Sequence, residues 1–463
     1  MDRQQKLITL LAFACLGACQ GGADNMQQKD IRLITVAPGH FHAALVQKSM
    51  YPEVDSVVHV YAPEGPELKA HLALIDQYNT RADNPTRWNE VVYQGEDYLE
   101  KMLEERKGNV VVLAGNNQRK IDYISRSVDA GLNVLADKPM AINKEGFSKL
   151  QQAFATAKEK DVLLYDIMTE RYEINTMLQR SLSQVPEFFG GLVEGSPDQP
   201  AITKESVHHF FKEVSGKPLV RPAWFYDTKQ QGEGLVDVTT HLIDLVQWES
   251  FPEEIIDYKQ DIELLSARRW STSLTPAQFE RSTGQAEFPS FLSSSLGDDG
   301  NLAVYANGEI NYRLKGIHAK VSVIWNFEAP QGTGDTHYSI MRGKYANLII
   351  RQGAEEQYKP RLYVESTGER DDDAFENALK KAVDQLDGTY KGLAYEKVDD
   401  GRYLINIDPS LVTTHEEHFA EVTEKYLGFL QSGTMPEWEV PNMIAKYYLT
   451  TKALEEAETV SAP

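Results

Sequence analysis

The sequence predicts an α/β chain in two parts, a parallel sheet wound with helices over residues 31–168 and an α+β half over 169–463. Three observations carry this. First, Asn109 to Gly115 (NVVVLAG) and Val162 to Met168 (VLLYDIM) are near-continuous apolar runs, the pattern of strands covered on both faces. Second, after Asn116-Asn117 a helical pattern carries Ile121, Ile124 and Val128 on one face, closes at Gly131 and gives way to a new strand, Asn133 to Ala136. Strand, polar turn, helix, strand is a right-handed crossover unit. Third, beyond Glu263 the apolar period changes to alternation, the mark of antiparallel strands.

Taken in order, the chain opens with Arg3 and Lys6 ahead of an apolar run, Leu7 to Leu16, too short to span a bilayer. Leu16-Gly17-Ala18-Cys19 is similar to a bacterial lipoprotein cleavage box, which implies that residues 1–19 direct export and that Cys19 carries lipid. An ordinary signal peptide cut nearby is the alternative. Residues 20–30 then form a tether, and Gln20 suits an outer-membrane destination, so the expectation is a periplasmic, lipid-anchored protein of a Gram-negative bacterium. Both cysteines, Cys15 and Cys19, lie in this segment, which leaves the folded part without disulfides or thiolate metal sites. The net charge of −22 argues against nucleic acid and against an electrostatically held membrane surface.

Ile31 to Ala37 reads as the first strand, followed by Pro38-Gly39-His40-Phe41-His42 and a helix through Leu45 and Val46. A dinucleotide fingerprint G-x-G-x-x-G belongs at this turn, where glycines let a pyrophosphate approach backbone N–H groups. Only Gly39 is present; Ala37 and His42 hold the outer positions, and a plain Pro-Gly turn is the bland reading. Ser56 to Ala62 is the second strand, and Glu64 just past it is the candidate for the adenosine ribose, in a displaced position that leaves NAD and NADP both open. Asp137-Lys138-Pro139 ends a later strand. Ligands of open parallel sheets bind at such carboxyl ends, and a lysine between an acid and a proline serves chemistry better than packing, although a solvated strand-end lysine is common. Glu170 and Arg171 follow the last buried strand and face the same crevice, unless they form a surface pair.

In the second half, Asp237 and His241 are four residues apart, so on one helix they share a face. Ser206 to Phe211 and Arg221 to Asp227 mix aromatic with polar residues, which suits a carbohydrate: His208, His209, Trp224 and Tyr226 are the candidate contacts, while Phe210, Phe211 and Phe225 fit core packing as well. The adjacent histidines invite a metal, but no His or Cys nearby completes a ligand set, and His415 and His418 are read onto the solvated face of a later helix, so no metal is expected. Leu264 to Thr275, Leu302 to Tyr312, Lys320 to Phe327 and Tyr338 to Arg351 read as antiparallel strands, with Asn307-Gly308 as a hairpin turn, and helices follow near 374–386, 413–430 and 443–458.

The segment GNNQRK, AGLNV and DKP resembles the glucose–fructose oxidoreductase / inositol dehydrogenase family, whose members read T-P-N-x-x-H, A-G-K-H-V and E-K-P at these places. The helix motif Gly232 to Asp244 resembles the family's G-G-G-x-x-x-D-x-G-x-H-x-x-D, with Thr239 where the family has Gly. Lys120 stands where the family often has His, and Asp137 replaces Glu. The resemblance implies a Rossmann domain, NAD or NADP as cofactor, and a second domain with a large open sheet that covers the crevice and often forms the oligomer interface. It places Pro38, Gly39, His40, Phe41, His42, Glu64, Asn116, Asn117, Asp137 and Lys138 on the cofactor side. Lys138, Asp237 and His241 become the catalytic set: electrophile, orienter and base for oxidising a secondary alcohol. The substrate implied is a sugar or glycoside, oxidised at the 3-hydroxyl, with a bound and recycled cofactor and a separate enzyme that cleaves the keto-glycoside. A glycosidase acting through transient oxidation and elimination is the alternative. A lipid-anchored sugar-binding protein is the third reading, but it has no use for Lys138, Asp237 and His241 together.

Overall fold

The computed structural model describes residues 31–214, 217–331 and 333–462. The expected export segment and tether, with Cys19, lie outside them.

The first sheet has six parallel strands: β1 (Leu33–Val36), β2 (Val57–Ala62), β3 (Asn89–Gln94), β4 (Val110–Leu113), β5 (Asn133–Asp137) and β6 (Leu164–Ile167), in the order β3-β2-β1-β4-β5-β6. The helices between them are α1 (His42–Leu45), α2 (Pro66–Thr80), α3 (Tyr98–Glu105), α4 (Asn117–Asp129) and α5 (Lys144–Lys160). β4 and β6, the apolar runs, are buried along their whole length, as strands covered on both faces must be. α4 starts where the Asn116 side chain accepts from the Gln118 N–H, and it ends before Gly131, whose φ of +77° suits a residue without a Cβ. β3 escaped the sequence reading because it is an exposed edge strand whose residues alternate with no apolar face.

The second half runs through a 3-10 turn (Thr169–Tyr172), α6 (Ile174–Ser183), α7 (Pro186–Phe189), β7 (Ile202–Phe211), a short ribbon of β8 (Glu213–Val214) and β9 (Lys217–Pro218), α8 (Thr228–Gln231), α9 (Thr239–Ser250), β10 (Ile262–Leu274), α10 (Pro276–Thr283), β11 (Leu302–Leu314), β12 (Ile317–Glu328), β13 (Thr336–Arg342), β14 (Ala346–Arg351), β15 (Arg361–Ser366), α11 (Asp372–Leu386), β16 (Ala394–Asp399), β17 (Arg402–Asn406), α12 (His415–Ser432), α13 (Glu439–Glu456) and β18 (Glu458–Thr459). Ten strands form one sheet, β16-β17-β15-β14-β13-β7-β12-β11-β10-β18, antiparallel except where β7 pairs with β12 and β10 with β18. One face packs on α6, α9, α11 and α13 through residues such as Leu178, Ile243, Leu379 and Leu449. The other carries a polar ladder in which Arg268, Glu309 and Lys320 pair across strands, as do Arg351, Glu365 and Arg402.

Two expected features of this sheet are corrected. Asn307-Gly308 is no turn but lies inside β11. The Asn307 amide donates to the Trp270 carbonyl and Thr272 Oγ1 and accepts from the Trp325 N–H, filling a bulge in β10, while a Cβ on Gly308 would sit 2.4 Å from Leu235. The hairpin turn is instead Lys315-Gly316, both with positive φ. Tyr338 to Arg351 is likewise two strands, turning at residues 343–345.

The last two helices bind the halves together. Phe419, Val422, Tyr426 and Leu427 of α12 and Met443 and Tyr447 of α13 belong to the core beneath the parallel sheet, while Ala445 and Leu449 of α13 belong to the core of the second sheet. A buried ionic chain runs alongside. Arg171 donates to both Asp244 oxygens at 2.6 Å and lies 3.3 Å from Glu439; Lys446 bridges Asp244 at 2.7 Å and Asp166 at 2.9 Å. Burial opposes ionisation of Asp244, but Arg171 and Lys446 outweigh it and hold its pKa well below the usual carboxylate range. Lys446→Met would leave Asp166 buried without its cation, at an expected cost of about 3–5 kcal/mol. Urea unfolding checks this, and an unchanged midpoint would show that the chain does not hold the domains.

Candidate active site

The carboxyl edge of the parallel sheet meets the second domain in a crevice, and Lys138 sits where they touch. Its Nζ donates to Asp237 Oδ1 at 2.8 Å, and the other oxygen of Asp237 accepts from Gln231 Nε2 at 3.0 Å. The loop beneath Lys138 is fixed by Lys120, whose buried ammonium donates to Asn117 Oδ1 at 2.6 Å, the Asp137 carbonyl at 2.8 Å and the Pro139 carbonyl at 3.3 Å. Burial pushes the Lys120 pKa down to about 8. Asn117 Nδ2 in turn donates to the Gln231 carbonyl, and Asn116 Nδ2 to Gln230 Oε1, so α8 of the second domain is pinned to the start of α4.

Asp237 does not pair with His241. It precedes α9, in the turn where the Asp237 N–H reaches the Glu233 carbonyl, rather than sharing a helix face with His241. Its carboxylate is the partner of Lys138. Burial opposes its ionisation, but the Lys138 charge and the hydrogen bonds from Lys138 and Gln231 keep its pKa below the usual value. Gly234 makes this turn possible: a Cβ there would lie 2.0 Å from the Ala306 carbonyl. His241 Nδ1 is buried and has no hydrogen-bond partner. Burial, then the nearby Lys138 charge, push the His241 pKa well below 6.5, so the ring is neutral at pH 7. A buried orphan nitrogen costs about 1–3 kcal/mol, a cost relieved if an incoming ligand supplies the partner.

The turn after β1 brings two more imidazoles to the crevice. His42 Nδ1 lies 2.9 Å from Asp137 Oδ2, and the His42 N–H donates to His40 Nδ1 at 3.3 Å. His40, His42 and Asp137 hold ligand atoms within 4.8 Å of one another, a spacing that these hydrogen bonds account for. Desolvation, then neighbouring charged or imidazole groups, push both histidines well below 6.5. The expectation for α12 is corrected here. His418 is buried, while His415 stays on the solvated face, with its ring 5.6 Å from that of His42 and 5.4 Å from that of Phe419. His415 Nδ1 is 3.9 Å from Glu170 Oε1.

Of the expected substrate contacts, His208 lies on the crevice side, stacked on Trp325 at 5.1 Å, and His208, His209 and Lys212 converge on the Asp335 carboxylate at 3.1, 3.2 and 2.5 Å. Trp224 lies against the β1 turn, 3.4 Å from where a Cβ on Gly39 would be. Two expectations fail. Arg171 is not available to a ligand, because the buried chain to Asp244 and Glu439 uses its guanidinium. Tyr226 is core: it is 1% exposed, and its Oη donates to Ser282 Oγ at 2.6 Å. Phe210, Phe225 and Trp325 form the wall of a small recess that Gln231, Gly232 and Asp237 complete. Sequence reasoning missed His415, Lys212, Asp335 and Gln231, which reach the crevice only through tertiary contacts.

The residues fit a dinucleotide along this edge. A Cβ on Gly115 would stand 2.6 Å from the Ala37 carbonyl and 2.9 Å from the Gly39 nitrogen, so Gly39 and Gly115 let the first and fourth strand ends close up as a nucleotide crossing them requires. The N–H groups of Gly39 and His40 donate to the Ala114 carbonyl, so the side chains of this turn, more than its amides, are left to face a ligand. The strand order β3-β2-β1-β4-β5-β6 is that of a dinucleotide-binding domain, and the Lys138–Asp237 pair lies at its strand ends. Residues 39–165 match the family described as "Oxidoreductase family, NAD-binding Rossmann fold", and residues 178–458 match the "Putative oxidoreductase C terminal domain". The chain belongs to this Gfo/Idh/MocA family, and its cofactor is NAD(P). A crystal structure of a "putative oxidoreductase" from Parabacteroides merdae is 55% identical, covers 92% of this chain and 97% of its own, and superposes with a TM-score of 0.91. A second, from Thermotoga maritima, shares the fold at 13% identity and TM-score 0.58, over 92% of this chain and 97% of its own. A 3-ketoreductase from Actinomadura kijaniata, in complex with NADP and TDP-benzene, does so at 13% identity and TM-score 0.55, over 94% and 99%. No curated protein matches the chain.

Proposed function

We propose that the protein oxidises the 3-hydroxyl of a glucose-like glycoside to a 3-keto sugar. The observation that carries this is the pairing of Lys138 with Asp237 beside the orphaned nitrogen of a neutral His241, at the strand ends where the family binds its dinucleotide. Bound there, the nicotinamide supplies the hydride acceptor. Lys138 donates to the substrate oxygen and favours the alkoxide, and Asp237 holds the ammonium in place. His241 takes the hydroxyl proton in its neutral form. His208 and Trp224 offer a mixed aromatic and polar surface suited to a pyranose. The fold also houses a 3-ketoreductase, which supports position 3. His241→Ala and Lys138→Ala should each lower kcat/KM on a simple glucoside by about 10²–10⁴-fold. NMR of the product locates the carbonyl, and full activity in both variants would overturn the mechanism.

The cofactor of this reading is NAD, retained through the cycle and recycled by a second sugar. Glu64 at the exit of β2 and Glu67 in the first turn of α2 would repel a ribose 2′-phosphate, and neither is paired with a cation among the described residues. Mass spectrometry of dialysed protein should therefore recover NAD. Recovering NADP would sink the charge argument, and finding none, with activity restored only by added cofactor, would sink retention.

The sequence of residues 16–19 supports a periplasmic, lipid-anchored location, with the keto-glycoside passed to a separate cleaving enzyme and the polar face of the second sheet as the oligomer surface. Cys19→Ser should then release the protein from the membrane fraction, since lipid is the anchor. Continued membrane association of that variant contradicts it.

A further inference from the structure

The turn after β1 lacks the free amides by which such a turn holds a pyrophosphate, but it carries two imidazoles. The N–H groups of Gly39 and His40 are spent on the Ala114 carbonyl, and Ala37 and His42 stand where two fingerprint glycines belong. His40 and His42 flank Phe41, with ring centres 4.0 Å apart and set edge to face. The fold adds Asp137, 95 positions on, from the end of β5. Its side chain is 8% exposed and meets only the His42 ring. Among the described residues no lysine or arginine lies within ion-pair distance of it, and its Oδ1 accepts no hydrogen bond. Lys120 and Lys138 stand close by but are turned to other partners, the Asp137 carbonyl and the Asp237 carboxylate. The hydrogen bonds of this cluster account for its spacing, yet they supply no positive charge, and a carboxylate buried without one is costly.

We infer that His40, His42 and Asp137 bind a divalent cation of the zinc class, and that its open positions take the pyrophosphate oxygens of the dinucleotide. Two imidazoles and a carboxylate suit Zn2+, Co2+ or Fe2+ better than Mg2+, which favours oxygen donors alone. Ligand atoms about 2.0–2.1 Å from one ion stand about 2.9–3.3 Å from each other. His42 Nδ1 and Asp137 Oδ2 are 2.9 Å apart, so the ion takes the place of the proton between them. His40 is the ligand that moves. The ligand atoms of the three residues lie within 4.8 Å of one another, and the one hydrogen bond on the His40 ring is the 3.3 Å contact from the His42 N–H. Sequence spacing points to His208 and His209 as metal candidates. The fold gathers a set at the β1 turn instead, because β1 and β5 flank β4 in one parallel sheet and end on the same edge. A dication held by one carboxylate and two neutral imidazoles keeps a net positive charge, which a pyrophosphate needs and the turn's amides do not offer. The inference rests on the dinucleotide and not on the sugar oxidation proposed above.

The test uses the untagged full chain, stripped of metal by a chelator. Calorimetric titration with Zn2+ should show a stoichiometric site. Co2+ in its place should give visible d–d bands without a thiolate charge-transfer band, since both cysteines precede residue 20. His42→Ala and His40→Ala should each weaken Zn2+ binding by about 10²-fold or more, beyond the cost of losing an outer partner of a metal ligand. His40 is only half-buried, so His40→Ala tests the set where His42→Ala fails to fold. His59→Ala, on β2 and outside the cluster, should leave the titration as it was. Zn2+ should also tighten NAD and ADP-ribose by a factor of about 5–150, the range of coupling between linked ligands, and leave methyl glucoside binding unchanged. Absence of a stoichiometric Zn2+ site, or a site that survives both substitutions, overturns the inference. An ion bound by the cluster that tightens the glucoside, or neither ligand, overturns the pyrophosphate contact. None of these outcomes moves the position of the carbonyl that NMR locates, so the oxidation stands or falls separately.

Discussion

The contact between Lys138 and Asp237, 2.8 Å long, joins the two halves of the chain where each is chemically useful. Lys138 comes from the carboxyl end of a parallel strand, where a bound dinucleotide lies, and Asp237 from the turn that leads into α9 of the second domain. Neither position has a function by itself. The aspartate needs a cation to stay ionised against its burial, and Lys138 supplies it. The pair therefore ties the β5 end to the turn before α9.

Around that contact, other polar groups hold the two halves in register. Lys120 ties the β5 loop to the start of α4, and α8 is pinned to the same start through Asn116 and Asn117. On the far side, Asp166, Lys446, Asp244 and Arg171 run from β6 through α13 to α9 and the 3-10 turn. His241 lies on the same helix as Asp244, one turn earlier, so the buried chain also sets where the base stands. Charges buried in this way contribute modestly to net stability but strongly favour one arrangement, because a shifted helix would leave an ion without its partner.

The histidines of the crevice share one electrostatic consequence. Desolvation lowers the pKa of His40, His42, His241 and His415, and Lys138 and neighbouring imidazoles lower it further. A cluster that suggests positive charge by composition is in fact neutral at pH 7. Glu170 departs in the opposite direction, for the same reason of burial. The site thus sets neutral imidazole acceptors around the Lys138–Asp237 and Lys212–Asp335 ion pairs.

The sequence by itself determined the parallel sheet, the lysine at its edge, the histidine-bearing turn after β1 and the closing helices. Each of these is written in local patterns: apolar runs, a 3.6-residue period, glycines at helix ends, a proline after a strand-end lysine. It missed what depends on partners distant in the chain. Asp237 has the spacing of a helical partner for His241, but the carboxylate turned to a lysine 99 positions earlier because that is the charge it meets there. Arg171 and Tyr226 have the composition of ligand contacts, yet Asp244 73 residues on and Ser282 56 residues on had already satisfied them. Asn307-Gly308 has the letters of a turn, and the bulge opposite it made the same letters a strand. Only the tertiary structure decided which polar groups were consumed inside the fold and which, like His241 Nδ1, were left without a partner among the described residues, because hydrogen-bond and charge satisfaction is settled by contacts between segments and not by the residues next along the chain.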